Sequence, residues 1–239
     1  MTIPDYTLRY SQKAKYLQLR ISVRGLEVVI PGQRRVSQTM IEQFVQQKRP
    51  WIIRHWQRFI QAKEQREVLA LQLPASITLL AIEQRWEIFY LATAASKLKC
   101  VTNQSRQIKF LGDITNEKQC VRLLRQWLKK MAEQYLSEQL HLLAIEYGLS
   151  FRQLSFRHTI TRWGSCSSKK NISLCCNLLF LPAQLVRHVL LHELCHTKVM
   201  THGVRFWQLL GKLDKDYEIN KAALAKAGQY VPGWALHAR

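Results

Sequence analysis

Two histidines four residues apart with a glutamate between them, His192-Glu193-Leu194-Cys195-His196, and a third at His202 constrain this chain more than any other stretch. Residues i and i+4 of a helix lie nearly above one another, so both imidazoles project from one face. That spacing lets two histidines reach one tetrahedral zinc at about 2.0–2.1 Å each. Glu193 sits one step round, where it misses the ligand position but reaches a water on the open side of the metal. His202 stands ten residues after His192, about 1000° on at ~100° per residue, or roughly 80° off the shared face. An unbroken helix cannot present it. The helix is therefore expected to end near Met200–Thr201 and the chain to turn back, a turn that Gly203 permits. Leu185, Val186, Val189, Leu190 and Leu194 form an apolar stripe leading into the motif, and Pro182 suits the first helical position. One zinc ion on His192, His196 and His202 is the expected cofactor.

The chain has 239 residues, 47% of them hydrophobic, and only 9 Gly and 6 Pro. This is enough for a substantial core in one large or two small domains. No apolar run approaches the ~18–20 residues of a membrane span, and the start, Met-Thr-Ile-Pro-Asp-Tyr, has no basic segment followed by an apolar one. The six cysteines include no C-x-x-C pair, which argues against a cysteine-rich zinc site and for a reduced, cytoplasmic protein with no membrane partner. The net charge of +20 is evenly spread: residues 1–113 and 114–239 each carry 18 basic and 8 acidic side chains. Such a field attracts nucleic acid nonspecifically, without a recognisable reading motif.

The spacing of apolar residues predicts an α+β fold in two regions. Residues 1–113 form a β-rich, basic N-terminal region with one kinked helix, and 114–239 hold the histidine motif; the two are compatible with one compact unit. Leu17, Leu19, Ile21 and Val23 alternate with polar residues, Arg24-Gly25 turns, and Leu26, Val28 and Ile30 return. Thr7–Tyr10 is a candidate third strand. Ser37 is the expected cap of a helix that kinks or restarts at Pro50. Strands follow near 77–82, 86–91, 97–101 and 107–111, then a long helix over 115–147 stopped by Gly148. Beyond it come a strand over 151–157, the stretch 161–167, and a strand from Ile172. Phe206, Leu210, Leu213 and Tyr217 step by 4, 3 and 4 as one helix, and a last helix over 218–227 is expected to end at Gly228.

Thr161-Arg-Trp-Gly-Ser-Cys-Ser167, Asn171-Ile-Ser-Leu174, His192-Glu-Leu-Cys-His196, His202-Gly-Val-Arg-Phe-Trp207 and Asp216-Tyr217 stand in an order and spacing that resembles the YgjP-like metallopeptidases. These are a zincin family with relatives among the SprT-like proteases. The resemblance implies a zincin-like catalytic domain, with His192, His196 and His202 as zinc ligands and Glu193 as catalytic base. It departs from the family's usual pattern at Cys195 (Ala), Gly203 (Ser) and Cys175-Cys176 (a polar-aromatic pair), none of which removes a ligand or the base. Cys195 is read as a small buried thiol. The interval from His196 to His202 also equals that of metzincins, which have Gly at the position of Val199, where a branched side chain resists a left-handed turn.

The chemistry these residues point to is peptide-bond hydrolysis by a zinc-bound water, with Glu193 as general base and a polypeptide as substrate. Arg162, His158 and Tyr217 are candidate oxyanion holders. Trp163 and Gly164 precede a strand whose edge could line the substrate cleft. Three readings stay open at this level: a general zinc peptidase, a SprT-like protease acting on DNA-bound proteins, and a non-catalytic basic protein that keeps zinc for stability. The presence of Glu193 weighs against the third.

Overall fold

In the computed structural model, which describes residues 3–12, 14–22, 25–32, 36–70, 73–95, 97–159 and 161–236, the first alternating stretch becomes a small sheet. It contains β1 (Tyr6–Ser11), β2 (Gln18–Ser22) and β3 (Gly25–Pro31) in the order β1-β3-β2. β2 runs antiparallel to β3, and β1 is parallel to it. Ser22 pairs with Gly25, so the turn expected at Arg24-Gly25 falls on residues 23–24, outside the described residues. The side-chain oxygen of Ser37 accepts the Met40 N–H at 3.3 Å and caps α1 (Gln38–Gln47). A second helix, α2 (Arg49–Ala70), starts afresh, with Pro50 in its first turn, where a missing N–H breaks no helical bond. Leu26, Val28 and Ile30 bury one sheet face with Ile41, Val45 and Ile52 of the helices. The chain separates into two compact units, Met1–Glu67 and Val68–Arg239.

The second unit opens with β4 (Ser76–Leu79), β5 (Gln84–Ala92), β6 (Lys99–Thr102) and β7 (Gln107–Gly112), ordered β4-β5-β7-β6. Period-2 alternation puts Ile77, Leu79, Trp86, Ile88, Ile108 and Phe110 on one buried face. That face shares a core with α3 (Glu117–Glu146), where Trp127 meets Trp86 edge-on at 5.2 Å. The sheet expected to group with residues 1–113 thus packs with the long helix that comes after it. Asn116 caps α3 by accepting the Gln119 N–H at 3.0 Å. The helix stops as expected: Gly148 takes φ +60°, and the Leu149 N–H reaches back to the Ala144 carbonyl at 2.8 Å.

Next comes a three-stranded sheet of β8 (Gln153–Arg157), β9 (Gly164–Cys166) and β10 (Asn171–Cys175), ordered β8-β10-β9. β9 is consequently an edge strand. It packs on α4 (Ala183–His196), the helix that carries the motif. Leu185, Val186, Val189, Leu190 and Leu194 are all buried, as their spacing requires. Three further helices complete the chain: α5 (Val204–Leu213), α6 (Tyr217–Leu224) and α7 (Gly233–Leu236).

Several boundaries differ from expectation, each for a visible reason. Pro182 caps α4 and is not its first residue. The helix ends at His196, not near Met200–Thr201: the Thr197 and Lys198 N–H groups donate to the carbonyls three residues back, Leu194 and Cys195, both at 3.0 Å, which tightens the last turn. Gly203 has φ −82° and ψ −175°, ordinary extended backbone, so the reversal does not depend on glycine's freedom there. Tyr217 starts α6 and does not continue α5, because Asp214 leaves helical geometry at φ −130° and ψ 97°. Gly228 lies inside a 3₁₀ turn over Ala227–Tyr230, and α6 already stops at Leu224.

Candidate metal centre

α4 delivers His192 and His196 from consecutive turns, and the six-residue return brings His202 to the same point. The Nε2 of His192 lies 3.2 Å from that of His196 and 3.0 Å from that of His202. One ligand atom from each lies within 4.8 Å of the others. Donors about 3.3 Å apart are what a tetrahedron with bonds of ~2.0–2.1 Å requires, so the set fits a zinc-sized ion. His196 is buried, His192 half-buried and His202 exposed, which leaves one side of the cluster open to solvent.

The surroundings hold the rings in the form that binds metal. The Nδ1 of His196 lies 3.1 Å from the Val199 carbonyl. A carbonyl can only accept, so Nδ1 carries the proton and Nε2 presents its lone pair. Burial, followed by the neighbouring imidazoles, pushes the His192 pKa down to about 3, and burial also lowers that of His196. Both shifts favour neutral imidazole. Phe206 is fully buried beneath the cluster, its ring 4.9, 4.6 and 4.7 Å from those of His192, His196 and His202. Trp207 stacks on His202 at 5.6 Å and 25°, and its indole N–H donates to the His202 carbonyl at 3.0 Å.

Glu193 is 5% exposed, and its Oε2 has no hydrogen-bond partner. Burial raises its pKa to about 8, against the lowering charge of Arg162. It reaches this position because β9 offers no side chain where the two elements meet. A Cβ built on Gly164 would lie 2.6 Å from Oε1, 2.7 Å from Cγ and 2.8 Å from Cδ of Glu193. Arg162 stands exposed just before β9, its carbonyl accepting from the Thr159 hydroxyl at 2.7 Å. Trp163 is half-buried against the core.

The other two candidates are engaged elsewhere. The Nε2 of His158 donates to the Arg125 carbonyl on α3 at 3.0 Å, and burial with the Arg125 charge lowers its pKa to about 4. Its contact is with α3 and not with the histidine cluster. The Tyr217 hydroxyl donates to Glu218 at 3.0 Å, and its ring stacks on Trp207 at 6.0 Å, one ring removed from His202. The Cys195 thiol is fully buried and pushed up to about 12, which fits the reading of a packed thiol.

A buried polar group that the sequence alone did not suggest lies one turn before His192. The Nδ1 of His188 meets Asp214 Oδ2 at 2.6 Å, and the Asn220 amide donates to both Asp214 oxygens at 3.2 Å. The clasp joins α4, the end of α5 and α6. His188, His192 and His196 form an i, i+4, i+8 series, the signal that could have pointed to the first of them.

A sequence model of the YgjP-like family, described as a metallopeptidase domain, matches residues 15–227. Neither a curated protein nor a solved structure matches the chain. The match spans both units and contains the histidine cluster, Glu193 and β9, and the chain thereby belongs to the YgjP-like metallopeptidase-domain family.

Proposed function

We propose that this chain is a zinc-dependent peptidase that binds one Zn²⁺ on His192, His196 and His202 and uses Glu193 as general base. The observation that carries the reading is the buried Glu193 carboxylate, its Oε2 without a hydrogen-bond partner, on the helix that holds two of the three convergent imidazoles. A zinc site kept only for stability has no use for such a group, since an unsatisfied buried polar atom costs about 1–3 kcal/mol. When bound, zinc supplies a Lewis acid that polarises a carbonyl and makes water acidic near neutral pH. Glu193 takes the proton of the attacking water and passes it to the leaving amine. Arg162, whose charge reaches Glu193, is the best placed of the three candidates to steady developing negative charge. The free edge of β9 can pair with an extended polypeptide, and Gly164 keeps the glutamate close beneath it.

The test is cleavage of casein by zinc-loaded wild type and Glu193→Gln. Both are expected to hold zinc and only the wild type to cut. Equal cleavage by both would remove Glu193 from the mechanism, and no cleavage by a zinc-loaded wild type would remove the peptidase reading.

A further inference from the structure

A trough of about 1180 Å³ lies on the second unit between α5 and α6. Trp207 forms part of its wall and also stacks on His202, and Tyr217 continues the same row of rings. The trough stays open because small residues line it. Gly211 lies under Tyr217, and a Cβ there would meet the Tyr217 ring at 3.2 and 3.4 Å. Ala222 on α6 and Ala225 just after it also line the space. With Gly211 in place, the tyrosine ring can lie on α5 with a flat aromatic surface toward the space.

The charges around this apolar surface carry a positive excess. Lys212 and Lys221 line it, and Lys221 Nζ stands 4.1 Å over the Trp207 ring. The one carboxylate in the lining, Glu218, accepts from the Tyr217 hydroxyl at 3.0 Å and offsets one of the two ammonium charges, so the lining keeps a positive excess. Aromatic walls favour a large apolar side chain, and two ammonium groups favour a carboxylate beside it.

We propose that this trough is a specificity subsite that holds a bulky apolar residue of the polypeptide substrate, with an acidic side chain next to it in sequence at Lys212 and Lys221. The proposal rests on the peptidase reading for its occupant, but it can be tested by binding without turnover. The probe is N-acetyl-Phe-Glu-amide, titrated into the zinc-loaded full chain and followed by calorimetry. The amide removes the terminal carboxylate, so any anion contact comes from the glutamate side chain. Wild type is expected to bind it at least tenfold more tightly than N-acetyl-Ala-Glu-amide or N-acetyl-Phe-Gln-amide. Ala222→Trp, which fills the trough, is expected to weaken binding at least tenfold. Lys221→Glu, a surface change, is expected to abolish the preference for Glu over Gln. Circular dichroism and zinc content confirm that each variant is folded. Equal affinity for the three peptides, or unchanged affinity in both variants, overturns the subsite even if casein is cut. Failure to cut casein with the peptide preferences intact overturns the peptidase reading and leaves the binding site standing.

Discussion

Replacing Gly164 with alanine adds one methyl group at the closest approach of β9 to α4. The new Cβ would sit 2.6 Å from Glu193 Oε1, against 3.4 Å for an ordinary contact, a shortfall of about 0.8 Å. Swinging the carboxylate aside does not relieve it, because Cγ at 2.7 Å and Cδ at 2.8 Å are also overlapped. Glu193 is buried, so it must leave its rotamer or the strand must lift from the helix. The first costs about 0.5–1.5 kcal/mol. Overpacking of a core contact costs about 1–3 kcal/mol. A loss of about 1–3 kcal/mol in unfolding free energy is expected, measured by urea denaturation. The effect on rate should be larger relative to its ceiling. Misplacement of a reacting group by about 1 Å costs about 10²-fold, within the ~10²–10⁴ that a general base contributes. Casein turnover at matched zinc content should therefore fall about a hundredfold. Ser165→Ala, one residue along the same strand, should alter stability by less than ~0.5 kcal/mol. A Gly164→Ala protein with wild-type stability and turnover would refute the steric argument and the position assigned to Glu193.

The same geometry sets three further outcomes. Asp214→Ala leaves His188 buried without its hydrogen-bond partner and should cost about 1–3 kcal/mol in urea denaturation, with weaker zinc binding in a chelator competition because α4 loses its tie to α5 and α6. Phe206→Ala removes the ring beneath all three histidines and should cost about 3–5 kcal/mol, with a ~10–100-fold loss of zinc affinity. His158 has a folded pKa of about 4 against 6.5 when free, so the unfolded chain binds the extra proton. Its effect on stability is nil above pH ~6.5, grows as pH falls, and levels off below ~4; for a partly exposed group this amounts to about 1–2 kcal/mol. The sign is destabilising in acid: between pH 7 and 4 the metal-free wild type should lose about 1–2 kcal/mol more stability than His158→Gln, read from urea midpoints, and equal losses would refute this.

How much of this was legible in the sequence depends on whether the determining contact is local. The pairing of His192 with His196, the stop at Gly148 and the cap at Ser37 rest on residues within a few positions of one another, and periodicity or capping chemistry reveals them. The return of His202 could be argued from angle alone. Where the helix ends could not, since the shift of the Thr197 and Lys198 N–H groups to carbonyls three residues back leaves no mark in the spacing of apolar residues. The step from Phe206 to Tyr217 looks continuous because the break at Asp214 is made by partners outside that pattern, His188 and Asn220. The need for glycine at 164 is likewise invisible along the chain. It arises from Glu193, 29 positions away in sequence, pressed against the strand. The four-stranded sheet reads correctly as strands, but which residues it packs with is set by the tryptophan contact to α3.

The central claim is that three histidines hold one catalytic zinc ion, and metal content tests it most directly. Wild type and His202→Ala, purified with excess zinc and freed of loose metal by gel filtration, are compared by elemental analysis. The wild type should retain one zinc per chain. Loss of one of three protein ligands should leave His202→Ala largely empty under the same treatment. A wild type without zinc, or a His202→Ala protein that holds it as firmly, would contradict the account.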